Sequence, residues 1–400
     1  MRRILAAAAA LLMLTGCADP VGQADSAVPA MAEPTEAPTT EAPTEPPTEP
    51  PTQPPTKAEL RLSQMSLHQK VCQLFIVVPE ALAGHDVLSW SDDQNMLSYA
   101  EYPVGGFIFF AKNMTSQEQL SALISEMQSS AMEQGIGAFM GVDEEGGSVA
   151  RVSQSLGTAA VDSMRWIGES GDPERAKAAG ETIGGYLSEL GFSLDFAPVA
   201  DVNLSWENEL GNRIFSEDPN TVAEMSAAVV EGLHENGICA TLKHFPGLGA
   251  GSGNTHYGTV VIDRTYEQLK EVEFTAFGGG IAAGADFVMV GHQITTGSGQ
   301  ELPGDMSPVV VTDWLRGDLG FEGIAVTDSH SMGAVAGVYP PGQAAVMSIS
   351  AGIDIILMPA DLPAAVSGVE DAVSSGALSE ERIDESVLRI LEKKEALGLL

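Results

Sequence analysis

The feature that most constrains the fold is an eightfold alternation, between about Ala58 and Leu400, of short apolar runs with stretches of helical periodicity. Continuously apolar strands are buried on both faces, so the pattern predicts an α/β protein whose parallel sheet is covered by helices. Eight such units in ~340 residues are typical of a single (β/α)8 barrel of the TIM type. The predicted strands are Val71 to Val78, Val104 to Phe110, Gly137 to Val142, Leu194 to Val199, Ile238 to Leu242, Ala285 to Val290, Gly323 to Val326 and Gly352 to Met358.

The segments between these strands show apolar residues at helical spacing. One example is the segment from Ser116 to Met127, where Leu120, Leu123, Ile124 and Met127 form an apolar face. The last segment, from Glu380 to Leu400, predicts a closing helix. An open doubly wound sheet is the alternative. It would be favoured by a Gly-x-Gly-x-x-Gly fingerprint after the first strand, and the sequence has none there.

The N-terminal segment predicts export and a lipid anchor. Arg2 and Arg3 precede an apolar run from Ile4 to Leu14, and Leu-Thr-Gly-Cys ending at Cys17 matches a lipobox. We therefore expect residues 1–17 to be a lipoprotein signal peptide, with lipidation at Cys17 and a membrane-anchored, cell-surface location. An ordinary signal peptide with a chance cysteine is the alternative. Residues 18–57 are rich in Pro, Thr and Glu, which predicts a disordered, extended linker before a catalytic domain at 58–400.

Composition excludes one class of partner. The chain carries 19 basic and 55 acidic residues, for a formal charge of −36, which argues against nucleic-acid binding because that binding depends on cations that neutralise phosphates. Beyond Cys17, two cysteines remain, Cys72 and Cys239. Each lies in an apolar run, so two buried reduced thiols are expected rather than a disulfide or a metal site.

Polar side chains collect where the predicted strands end, and in a barrel these positions meet at one mouth. Lys243 and His244 follow an apolar strand directly, which is costly unless a carboxylate or a ligand meets them. Asp201 is as consistent with a turn cap as with a site. Asp354 lies within an apolar strand, where a satisfied buried carboxylate is more common than a catalyst. The full set is Asp143, Arg151, Asp201, Arg213, Lys243, His244, His256, His292, Asp328, His330 and Asp354.

Four segments resemble the signatures of glycoside hydrolase family 3, and most closely its single-domain β-N-acetylglucosaminidases, also called β-hexosaminidases. They are Asp-Glu-Glu-Gly-Gly from Asp143, Asn-Arg-Ile-Phe-Ser-Glu-Asp-Pro from Asn212, Lys-His-Phe-Pro-Gly from Lys243 and Val-Thr-Asp-Ser-His-Ser-Met from Val326. The resemblance runs in order from about Leu60 to the end. It implies a TIM-type barrel, in agreement with the strand count.

The resemblance also implies roles for individual residues. Asp328 corresponds to the nucleophile of a retaining glycosidase and His256 to a general acid/base on a glycine-rich, mobile loop. The sugar-binding residues would be Asp143, Arg151, Arg213, Lys243 and His244. The implied function is removal of β-linked N-acetylglucosamine from cell-wall or other glycan fragments by a monomer, without a metal or an organic cofactor. A phosphorylase acting on the same glycosides and a catalytically weakened sugar-binding lipoprotein are the alternatives.

The chain departs from the family pattern near the expected acid/base. An aspartate usually stands two residues before the histidine, and here the residue is Asn254. Asparagine can orient the ring but cannot stabilise its charge. The resemblance therefore predicts slow turnover and a gain for Asn254→Asp. Other departures are Ser148, Leu248 and the Ser329-His330 pair. Relatives acting on glucosides often take the acid/base from a second domain, and we expect none after this barrel.

Overall fold

The computed structural model describes residues 54–83, 89 and 98–400. The predicted signal peptide, Cys17 and the linker up to residue 53 lie outside the described residues. Residues Pro54–Leu400 form one compact unit. Neither described cysteine is in a disulfide, and both are buried, as the sequence predicts.

Eight parallel strands close into a barrel. Each strand pairs with the next along the chain, and the last pairs with the first. The predicted (β/α)8 architecture is therefore confirmed, and the open sheet is wrong. The strands are β1 (Phe75–Val77), β2 (Gly106–Phe109), β3 (Phe139–Val142), β4 (Leu194–Asp195), β5 (Cys239–Phe245), β6 (Phe287–Val290), β7 (Ile324–Ser329) and β8 (Ile355–Leu357).

Helices surround the barrel and pack apolar faces against it. The predicted apolar face at Leu120, Leu123, Ile124 and Met127 is buried, and the closing helix is present. No helix in the described part is long and apolar enough to cross a bilayer. The helices are Lys57–Leu62, Leu67–Gln73, Glu80–Ala83, Gln117–Glu133, Arg151–Leu156, Met164–Glu169, Pro173–Leu190, Pro219–His234, Tyr266–Glu271, Glu273–Ala282, Val309–Asp318, Gly333–Ala336, Pro341–Ala351, Leu362–Ser374 and Glu380–Ala396.

Three strand boundaries differ from the sequence prediction, and the differences affect where polar side chains are held. The first predicted strand began at Val71, but residues up to Gln73 belong to the helix that starts after Ser66, whose side chain caps the helix in a reciprocal pair with Gln69. β5 continues through Lys243 and His244, which were expected beyond the strand end. β7 likewise includes Asp328. These polar side chains are therefore held by strand backbone rather than by loops.

The N-terminal end of the barrel is closed by buried polar side chains that have partners. Asp354 lies just before β8 and is fully buried, and its carboxylate contacts Arg316 at 2.6 Å and Arg389 at 3.1 Å. It is the satisfied buried carboxylate that the sequence favoured. Lys394 is also fully buried, with Nζ 2.7 Å from Gln73 Oε1 and 5.1 Å from the centre of the Phe139 ring. Burial holds the pKa of Lys394 well below its usual value. These groups stabilise the end that faces away from the candidate site.

Candidate active site

A cavity of about 260 Å³ opens at the C-terminal ends of the strands. Its lining combines carboxylates and cations with apolar side chains, a composition suited to a small molecule that has both polar groups and an apolar face. The seven residues predicted for catalysis and sugar binding all line it: Asp143, Arg151, Arg213, Lys243, His244, His256 and Asp328. The barrel therefore brings together groups that are far apart in the sequence.

One wall is a buried cluster of opposite charges. Lys243, only 2% exposed, places Nζ 2.8 Å from Asp143 Oδ1 and 2.6 Å from Glu145 Oε1. Arg213 donates from Nε and Nη2 to the same Glu145 carboxylate, at 2.7 and 2.8 Å. Burial by itself would raise the pKa of Glu145, but Lys243 and Arg213 outweigh it and lower that pKa to about 2. The cluster is therefore fully charged and rigid at neutral pH.

His244 is held from behind by Asp201, which is fully buried. The Asp201 carboxylate lies 2.8 Å from His244 Nδ1 and accepts the backbone N–H of His244 at 3.0 Å. It also accepts the backbone N–H of Leu248, so it serves both the turn and the ring. The sequence left these two roles open for Asp201. Because Nδ1 is engaged, Nε2 is the ring nitrogen left for a ligand.

Arg151 contributes an unsatisfied donor. Its Nε is buried and has no hydrogen-bond partner among the residues that the structure describes. Its guanidinium lies over the Phe110 ring, 5.9 Å from the ring centre, in a cation–π contact. A buried donor without a partner is costly, so it marks a place where a bound ligand could supply the acceptor.

Asp328 lies half-buried in β7, and its Oδ1 accepts the backbone N–H of Ser329 at 2.7 Å. Burial raises the pKa of this carboxyl, but electrostatic interactions with His292 and then His244 outweigh it and the net pKa is lowered. Asp328 is therefore ionised at neutral pH, as a carboxylate nucleophile must be.

The charge beside Asp328 comes from a buried histidine. His292 Nε2 lies 2.9 Å from the Ser329 carbonyl oxygen and Nδ1 lies 3.0 Å from Asp305 Oδ1. Burial opposes charging of this ring, but Asp305 dominates and the pKa of His292 rises to about 9. His330 bonds to the other oxygen of Asp305 at 2.9 Å and is 3% exposed. It lies behind the cavity, not in its lining, although the sequence had suggested that it lines the pocket.

His256 lies on the loop after β5, and its side chain is 64% exposed. The backbone carbonyl of His256 accepts the N–H of Gly333 at 3.0 Å. The neighbouring glycines have distinct roles. Gly253 has a φ of +116°, which favours glycine, whereas a Cβ on Gly249 would meet the Val202 carbonyl oxygen at 1.9 Å. Gly249 and Gly251, two glycines of the loop predicted to be mobile, therefore permit close packing of this loop.

The Asn254 side chain does not take the place expected for it. Its Oδ1 accepts the backbone N–H of His256 at 2.9 Å, which is a local turn contact. The carboxylate near the ring is instead Glu209, with Oε2 3.6 Å from His256 Nδ1. Glu144, in the Asp-Glu-Glu-Gly-Gly segment, does not serve as that partner in this arrangement: it accepts the backbone N–H groups of Val152 and Ser153 and is fully buried.

Three acidic residues of the site were not singled out from the sequence: Glu145, Glu209 and Asp305. Glu145 could have been found, because it lies in the quoted Asp-Glu-Glu-Gly-Gly segment. Glu209 and Asp305 lie in segments without a recognisable local pattern. Glu209 contacts His256, 47 residues away in the chain, and Asp305 contacts His292, 13 residues away.

Fold and site together place the chain among the (β/α)8 barrels that carry a charged cavity at the C-terminal ends of their strands. Residues 66–393 match the family described as Glycosyl hydrolase family 3 N terminal domain, and the chain belongs to that family.

Sequence relatives and solved structures are consistent with membership of this family. A beta-hexosaminidase of Stenotrophomonas maltophilia (strain K279a) is 36% identical over 263 residues, covering 64% of this chain and 76% of its own length. Beta-hexosaminidase A of Pseudoalteromonas piscicida is 30% identical over 326 residues, covering 74% of this chain and 54% of its own. The structure of a glycoside hydrolase family 3 beta-N-acetylglucosaminidase from Paenibacillus sp. str. FPU-7 superposes with a TM-score of 0.79 at 33% identity. The match covers 84% of this chain and 63% of the Paenibacillus chain. This chain thus spans about half the length of the Pseudoalteromonas protein.

Proposed function

We propose that the protein is a retaining glycoside hydrolase that removes β-linked N-acetylglucosamine from glycan fragments. The observation that carries the proposal is the ionised Asp328 at a cavity whose lining also holds Arg151, Arg213, Lys243 and His256. The relatives named as beta-hexosaminidases and beta-N-acetylglucosaminidases supply the preference for the N-acetyl sugar.

In the first step, an Asp328 oxygen bonds to the anomeric carbon while the bond from that carbon to the leaving oxygen breaks. Protonated His256 gives its proton to the leaving oxygen. In the second step, neutral His256 accepts a proton from water as the water oxygen attacks the anomeric carbon. The bond to Asp328 breaks, so both residues return to their starting states.

The charged wall binds the sugar in this proposal. Asp143 can accept hydrogen bonds from hydroxyl groups, while Arg151, Lys243 and the free Nε2 of His244 face the cavity as polar partners. Because Glu145 already neutralises much of the charge of Lys243 and Arg213, the wall favours a neutral polar ligand over an anion. A neutral glycoside fits that balance.

The test compares turnover of 4-nitrophenyl β-N-acetylglucosaminide with that of the matching β-glucoside. We expect the N-acetyl substrate to be preferred and proton NMR to show the β-anomer as the first product. Absence of turnover would leave the sugar-binding alternative, and a first product of inverted configuration would refute the role of Asp328. The same reaction in phosphate, with analysis for a sugar 1-phosphate, separates hydrolysis from phosphorolysis.

We also propose that the protein acts as a monomer at the cell surface, anchored through a lipid on Cys17. The support is the lipobox and the acidic Pro/Thr-rich stretch that follows it, which would space the barrel from a membrane. Cell-wall fragments would then be the accessible glycans.

A further inference from the structure

Glu209 lies in the loop between β4 and the helix Pro219–His234, and its side chain is 9% exposed. Its Oε1 accepts two hydrogen bonds from Thr255, from the backbone N–H at 3.0 Å and from Oγ1 at 2.9 Å. The carboxylate plane is thereby fixed. The other oxygen, Oε2, is directed to the His256 ring, 3.6 Å from Nδ1.

This distance suits an electrostatic partner more than a tight hydrogen bond. An opposite charge within ~4–6 Å favours the charged form of a titratable ring. The Glu209 side chain is largely screened from solvent while the His256 side chain is 64% exposed, so the attraction is weakened less than in a pair that is exposed on both sides. Glu209 can therefore act on the ring when the ring carries its proton.

The residue two positions before the histidine is Asn254, which is neutral and whose side chain binds the backbone of His256. The loop that carries His256 thus contributes no carboxylate at the place where one is expected. The carboxylate comes from a different loop of the cavity lining, from Glu209.

We propose that Glu209 is the positioning residue and charge partner of His256, and that it replaces the aspartate missing at position 254. The proposal rests on the proposed function, in which His256 exchanges a proton with the leaving group. Glu209 holds Nδ1 and leaves Nε2 to exchange that proton. Asn254 has only a local structural role, so the gain expected from the sequence for Asn254→Asp is replaced by an expectation of no gain.

The pair depends on contact between two loops. The backbone N–H groups of Leu204 and Ser205 both donate to the Gly249 carbonyl oxygen, at 3.1 and 3.0 Å. Together with the bonds from Thr255 to Glu209, they dock the loop that carries the carboxylate onto the loop that carries the ring. Proton transfer is therefore available only in the docked arrangement.

The experiment measures kcat/KM for two substrates, because this ratio reports the first step. One is N,N′-diacetylchitobiose, whose sugar leaving group needs a proton, and the other is 2,4-dinitrophenyl β-N-acetylglucosaminide, whose leaving group does not. For Glu209→Gln we expect a loss of about tenfold to a hundredfold on the disaccharide, less than the ~10²–10⁴-fold that a whole acid–base group contributes, because His256 itself is retained. The loss on the dinitrophenyl substrate should be under about threefold, since protonation contributes little there.

Glu207→Gln is the matched control: it makes the same change in the same loop at an exposed side chain, and should have no effect on either substrate. The second arm places an aspartate at 254. Asn254→Asp alone should give no acceleration, whereas Glu209→Gln combined with Asn254→Asp should recover most of the disaccharide activity, a coupling that a merely structural role of Glu209 would not produce.

Three results would overturn the inference. They are equal losses on both substrates for Glu209→Gln, retention of full disaccharide activity by that variant, and acceleration by Asn254→Asp in the otherwise native protein. If Glu209→Gln does not fold, the Asn254→Asp arm decides alone. His256→Ala tests the proposed function separately from the inference about Glu209. Full activity of this variant refutes His256 as acid/base, whereas its inactivity beside a Glu209→Gln variant with full disaccharide activity refutes only the inference about Glu209.

Discussion

Replacement of Glu145 by glutamine tests the buried charge cluster directly. Glu145 is 2% exposed and bonds to Lys243 and Arg213 at 2.6 to 2.8 Å. Glutamine keeps the shape but cannot form an ion pair. The pKa of Glu145 is lowered from 4.5 to about 2. At about 1.4 kcal/mol for each pH unit, the ionised form is favoured by about 3 kcal/mol, in line with the cost of breaking a buried pair.

The expected result for Glu145→Gln is a free energy of unfolding lower by about 3 kcal/mol at pH 7. The sign of the pH dependence follows from the lowered pKa. The carboxylate contributes its stability above pH 4.5 and loses it as the pH falls through about 2, so the difference between native protein and variant should narrow over that interval. Urea unfolding of both proteins at pH 7, 5 and 3 measures this difference in the free energy of unfolding.

The matched control is Glu217→Gln. Glu217 also contacts an arginine at 2.7 Å, Arg165 Nη1, but its side chain is 58% exposed. An exposed pair of this kind contributes at most about 1 kcal/mol. A loss for Glu145→Gln no larger than the control, or a difference that does not change with pH, would refute the description of Glu145 as an ionised centre between two cations. In the folded variant, KM should rise because Lys243 and Arg213 lose their common anchor.

Three further predictions follow from the site and the N-terminus. Asp328→Asn should reduce turnover by several orders of magnitude while sugar binding and melting temperature stay close to native. A 2-fluoro glycoside should label Asp328, and labelling of Asp143 would show that the assignment of Asp328 as the nucleophile is wrong. The pKa of His292 is raised to about 9, so the stability from its pair with Asp305 is fully present below pH 6.5 and is lost as the pH rises through about 9. His292→Gln should remove that alkaline fall in the free energy of unfolding; an unchanged fall would mean that the ring is not charged. Cys17→Ser should release the protein from membranes into the medium, and fractionation with mass spectrometry for a diacylglyceryl group checks it; a native protein without that mass would contradict the lipobox.

The sequence by itself determined the barrel, because each strand and each helix carries its own local signal. Continuous apolar runs mark strands buried on both faces, and the 3.6-residue periodicity at Leu120 to Met127 marks a covering helix. Boundaries were less accurate. The helix Leu67–Gln73 ran into the first predicted strand because a buried helix end and a buried strand are both apolar.

The sequence also identified seven residues that line the cavity, because strand ends and motif segments are local features. Tertiary structure alone decided how their charges are balanced. Glu145 binds both Lys243 and Arg213, and Asp305 holds both His292 and His330, through contacts that depend on barrel closure.

The partner of His256 shows most clearly what could not be predicted from the sequence. A carboxylate can act on a ring from any loop that reaches it, because electrostatic attraction depends on distance in space and not on separation along the chain. The sequence could show that position 254 holds Asn254 where an aspartate was expected. Only the docking of one loop on another showed that Glu209 lies 3.6 Å from the ring.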